Sequence, residues 1–82
     1  MGVIIDTLKD ALSLLDEDRR RKATEALERT EKLYCDRRID NYDAFFMAMG
    51  VVLFYVVPVW PRDVGNLARA LGVDLERIGW YL

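Results

Sequence analysis

The sequence predicts a small all-α protein, a bundle of about five helices with a central apolar one. Three observations predict it. In residues 3–15 the apolar side chains Ile4, Ile5, Leu8, Ala11, Leu12 and Leu15 recur at the i, i+3/i+4, i+7/i+8 spacing of an amphipathic helix. In residues 17–38 acids stand four residues before bases. Between Ala44 and Trp60 (AFFMAMGVVLFYVVPVW) seventeen residues carry no charge, and all 12 basic and 14 acidic side chains lie elsewhere.

The first helix spans 3–15, with Asp6 as a candidate cap and Val3–Ile5 entering as an extended piece. Asp16-Glu17-Asp18 breaks the apolar pattern and sets acids where a second helix begins, the end that its dipole makes favourable for negative charge. That helix, 17–38, has a thin inner face of Ala23, Ala26, Leu27, Thr30, Leu33 and Tyr34. Its outer face offers the pairs Glu17–Arg21, Asp18–Lys22, Glu25–Arg29 and Glu28–Lys32, each worth about 0.2–0.5 kcal/mol in an isolated helix. Arg37-Arg38 suits a helix C-terminus.

Asp40 then reads as an N-cap, with Asp43 three residues on as a partial capping box. The central helix is expected over 41–57. Residues 51–57 are β-branched and aromatic, so a strand is the competing reading there. Pro58 stops the helix. Apolar on every side, it is expected to be buried all round, with Gly50 where another helix crosses closely. Pro61 suits the first position of a helix over 61–71, with Leu67, Ala68 and Leu71 inward and Gly72 just past its end. Asp74 is expected to cap a last short helix, 75–82.

Length and composition narrow the function. Eighty-two residues make one domain, residues 1–82, with a core that is marginal without help. One cysteine, Cys35, forms no internal bridge. With no histidine and one cysteine, a common structural zinc site is excluded, and no metal or other cofactor is expected. The usual general base is missing, no phosphate-binding loop is present, and no catalytic residue is assigned; the chain is not expected to be an enzyme. A net charge of −2 gives no general attraction to nucleic acid or anionic lipid. The run Val3-Ile4-Ile5 is too short for a signal peptide, so a cytoplasmic location with a free thiol is expected.

The end of the chain, DVGNLARALGVDLERIGWYL, resembles the helix-turn-helix superfamily of DNA-binding proteins over residues 61–82. Ala68, Gly72 and Ile78 match the small residue, turn glycine and buried aliphatic of that motif, with Leu67, Leu71 and Val73 at its other apolar positions. The resemblance implies a helix-turn-helix-like corner whose 74–82 helix reads DNA. The residues that would face the groove are Asp74, Leu75, Glu76, Gly79 and Trp80, which lack readout chemistry. Arg62, Arg69 and Arg77 are the candidate phosphate contacts, and the run Arg19-Arg20-Arg21-Lys22 is a further one. Trp60 followed seven residues on by Leu67-Ala68, then Leu71 and Ile78, is similar to death-fold adaptor domains, which implies helix-mediated assembly.

One hairpin and one corner do not cover four sides of a long apolar helix. The leading expectation is therefore a non-enzymatic protein–protein interaction or assembly module acting as a homo-oligomer, or held by another protein. Its interface is expected at Phe45, Phe46, Phe54, Trp60 and Trp80. The alternative is a small dimeric helix-turn-helix regulator. A membrane-associated protein is the third reading, weakened because Pro58 leaves only about fourteen helical residues.

Overall fold

The computed structural model describes residues 2–55 and 61–80. Four helices account for most of them: α1 (Val3–Ser13), α2 (Glu17–Cys35), α3 (Asn41–Tyr55) and α4 (Pro61–Leu71). No strand occurs among the described residues, and 51–55 are helical. The all-α expectation holds, but with four helices rather than five. Residues 56–60, 81 and 82 lie outside the described set, and with them the expected stop at Pro58 and the partner residue Trp60.

The helices form a ring. α1 packs on α2 and α4, and α3 packs on the same two. The chain measures 35 × 30 × 18 Å. A helix with its side chains is about 10–12 Å across, so the short dimension holds two layers. No helix is central in such an arrangement. The core is the seam where four inner faces meet: Ile4, Leu8 and Leu12 of α1, Ala23 and Leu27 of α2, Ala44, Phe45, Ala48, Met49 and Val52 of α3, Val64, Leu67, Ala68 and Leu71 of α4. Each large side chain fully buried there, such as Phe45, Ile4, Leu8, Leu27 or Leu67, contributes about 1.5–3 kcal/mol.

The helix ends explain where the expected boundaries shift. α1 begins at Val3, so Asp6 is not its cap; Gly2 holds the cap position and has no side chain to cap with. The cap comes from another helix. The buried Glu31 of α2 accepts the Ile4 N–H at 2.7 Å. A side chain on Gly2 would overlap the Glu31 carboxylate, which explains a glycine there. α2 starts behind Asp16, whose carboxylate accepts the Arg19 N–H at 2.8 Å. It stops at Cys35, three residues early, because Arg37 takes a left-handed conformation with φ 60°. The Arg37 and Arg38 N–H groups then turn back to the Tyr34 and Leu33 carbonyls. This is the reversed-bond closure that usually uses glycine.

Asp40 caps α3 as expected, accepting the Asp43 N–H at 2.7 Å. α4 occupies its expected span. It closes with Gly72 at φ 70°, the Gly72 N–H on Arg69 O and the Val73 N–H on Ala68 O at 2.8 Å. The expected helix 75–82 is not formed over the described residues. Residues 75–79 are turns. Gly79 at φ 73° returns the Trp80 N–H to Leu75 O at 3.0 Å, closing the chain after one turn. The Trp80 ring then meets Phe45 edge-on at 5.7 Å.

Only one expected outer pair of α2 is present, Asp18–Lys22 at 3.2 Å. Arg21 turns to Asp18 at 2.8 Å instead of to Glu17, and neither Glu25–Arg29 nor Glu28–Lys32 closes. These side chains are exposed, and ordering two long ones for a screened pair gains little.

Candidate interaction face on α3

α3 is apolar around its whole circumference, and the ring of helices covers only part of it. Ala44, Phe45, Ala48, Met49 and Val52 point inward and are buried. Phe46, Met47, Leu53 and Phe54 point outward and are 49%, 40%, 57% and 78% exposed. Gly50 lies between them, also exposed. The expectation of burial on every side is therefore corrected. A two-layer ring gives each helix neighbours on two sides and leaves one face out.

Gly50 does not sit under a crossing helix of its own chain. A Cβ built on it meets nothing within 4 Å. One flank of the face is a shallow groove between α2 and α3, lined by Ala26, Arg29, Thr30 and Leu33 against Met47, Gly50, Val51 and Phe54. Phe54 leans on Tyr55 edge to face at 4.8 Å, and Phe46 on Phe45 at 5.9 Å. The rings are thus held from one side and open on the other.

The N-terminal end of α3 is fixed by polar contacts. Asn41 Nδ2 donates to Leu71 O at 2.9 Å and Gly72 O at 3.2 Å. The Tyr42 hydroxyl accepts the Asp74 N–H at 3.3 Å, and the Arg77 guanidinium lies 5.4 Å from the Tyr42 ring centre. One end of α3 therefore closes the C-terminus of α4 and sets the azimuth at which the apolar face emerges.

Of the residues expected at an interface, Phe46 and Phe54 are on this face. Phe45 is not: it is 0% exposed, in its own chain's core. Trp80 is half-buried against Phe45. Met47 and Leu53 complete the face and were not among the expected residues. Their signal is positional, since each lies one helical turn from Gly50.

Most of the candidate phosphate contacts stand beside an acid or another polar group. Arg19 faces Asp16 at 3.8 Å, and Arg21 and Lys22 share Asp18. The hydrogen bond and charge of Lys22, followed by the charge of Arg21, hold the Asp18 carboxyl below its usual range. Arg20 is exposed. Arg62 stands 3.9 Å from Asp63, and Arg69 donates to the Asn66 side chain at 3.2 Å. Cys35 is an exposed free thiol, 4.0 Å from the Glu31 carboxylate. Among the described residues no three Cys, Asp or Glu side chains are placed to hold a metal ion. No helix among them is long and apolar enough to cross a membrane. No family model, curated protein or solved structure matches the chain.

Proposed function

We propose that the chain is a non-enzymatic protein–protein interaction module that assembles through the outward face of α3. One observation carries this reading: four large apolar side chains, Phe46, Met47, Leu53 and Phe54, stand exposed together around an open glycine. Taking about 150–250 Å² for a whole aromatic side chain, they leave on the order of 400–500 Å² of contiguous apolar surface. A patch of that size matches the largest on a typical monomer, which is often a functional surface.

The test is the mass in solution. Multi-angle light scattering is expected to show more than one chain per particle at micromolar concentration. Phe54→Asp and Leu53→Asp are expected to reduce it to one chain with the helical circular dichroism unchanged. A single-chain mass for the natural sequence would overturn the proposal of self-assembly, and capture of no other protein on this face would then remove the reading altogether. The helix-turn-helix reading draws less support, since residues 75–79 are turns and Arg77 lies over Tyr42.

A further inference from the structure

The exposed face of α3 has a symmetry of its own. Counting from Gly50, the exposed large residues stand at −4 (Phe46), −3 (Met47), +3 (Leu53) and +4 (Phe54). An aromatic lies one turn away in each direction, and an unbranched or γ-branched aliphatic lies beside it. An isologous interface uses the same patch on both partners and needs it complementary to itself, so that residue i meets residue j and j meets i.

Resting on the association proposed above, we infer that the occupant of this face is a second copy of the chain, its α3 antiparallel to the first about a two-fold axis at Gly50. Residues seven apart lie on the same side of a helix. Met47 and Phe54 therefore share the side toward α2, where they line one groove, and Phe46 and Leu53 share the other. A two-fold axis across the helices keeps sides and reverses direction. It sets Phe54 against Met47 of the second copy, and Phe46 against Leu53 of the second copy. Sulfur against an aromatic edge is a favourable contact of this kind.

Three further observations favour a second copy over an unrelated partner. Gly50 is destabilising in a helix interior relative to alanine, and nothing among the described residues of its own chain needs its small size. At the centre of an antiparallel pair it lets the two backbones approach. From Ala44 to Tyr55 the helix has no charge, so the α3 faces of two copies bring no like charges together. The area also suffices. Apolar surface makes up about two-thirds of a homodimer interface, so 400–500 Å² of it corresponds to roughly 600–750 Å² per copy. The pair then buries about 1,200–1,500 Å², within the range of stable specific interfaces.

Disulfide trapping tests the arrangement. Cys35→Ser removes the natural thiol, and Gly50→Cys places one at the axis, at a position open enough for the chain to fold. Two-fold contact at Gly50 brings the paired Cα atoms within the about 4.4–6.8 Å that a disulfide spans. Mild oxidation is expected to double the mass on a non-reducing gel. Leu14→Cys, exposed elsewhere on the surface, is expected to stay single. A mixture of Met47→Cys and Phe54→Cys chains is expected to cross-link, and neither alone. A multi-chain natural protein in which neither Gly50→Cys nor the mixture of Met47→Cys and Phe54→Cys chains cross-links faster than Leu14→Cys overturns the two-fold arrangement and leaves the α3 face as the interface. A single-chain mass at about 100 μM, where a pair of micromolar Kd is mostly formed, overturns the second copy as the occupant and self-assembly with it.

Discussion

The two faces of α3 have nearly the same composition and opposite fates. Phe45, Ala48, Met49 and Val52 form one side and are buried; Phe46, Met47, Leu53 and Phe54 form the other and are exposed. Hydrophobicity does not distinguish them. What distinguishes them is the position of α2 and α4, which reach α3 from one side only. A helix without amphipathicity inside a two-layer ring must leave apolar surface over. The inner face states how the chain folds, and the outer face is the surface proposed for assembly.

The comparison breaks most sharply at the two neighbouring phenylalanines. Phe45→Ala is expected to cost about 3–5 kcal/mol, read as a lowered urea midpoint at protein concentrations too low for association. Phe54→Ala, read the same way, is expected to stay within about 0.5 kcal/mol. Equal losses at the two sites would mean that the faces are not distinct in the isolated chain.

Next comes the polar contact that orients the inner faces. Glu31→Ala leaves the Ile4 N–H without its acceptor, at a cost of about 1–3 kcal/mol. Faster hydrogen exchange in the first turn of α1 is the specific sign. If that turn keeps its protection, the carboxylate is not its cap.

Gly50→Ala sharpens the comparison by moving two quantities in opposite directions. Folding of the single chain is expected to gain about 0.5–1 kcal/mol, because an exposed helix interior prefers alanine. Association is expected to weaken about tenfold, because a methyl group separates the backbones. A variant that is more stable and associates as well as before would remove the glycine from the interface.

The smallest effect belongs to the solvent face of α2. Asp18 is exposed, and its folded carboxyl is held below the usual range by Lys22 and then Arg21. Because folding lowers this pKa, its contribution is present above the unfolded value and is lost as pH falls through the folded one. Asp18→Asn is expected to flatten the acid limb of stability slightly, and added salt to erase the difference between the two proteins. A difference that persists in high salt would point to a role beyond the ion pair.

Much of the fold was legible locally. The apolar spacing of α1, the Asp40 cap and the Pro61-to-Gly72 limits of α4 follow from periodicity and capping chemistry, which act within a few residues. Where glycine or a strained residue competes with helix propensity, the reading slipped. Arg37 ended α2 early, and Gly79 turned a short expected helix into one closed turn. Nothing local announces a left-handed arginine, and the gain from seating Trp80 on Phe45 is a tertiary contact. Glu31 was illegible for the same reason: its partner is 27 residues away.

For the candidate site, the sequence by itself determined that the stretch from Ala44 to Tyr55 is uncharged and apolar on all sides. These are properties of residue identity and helical pitch. Only the tertiary structure decided which side is spent on the core. That choice depends on where α2 and α4 come to rest against α3, at distances along the chain that no local pattern encodes. It sent Phe45 inward and left Phe46, Met47, Leu53 and Phe54 facing out.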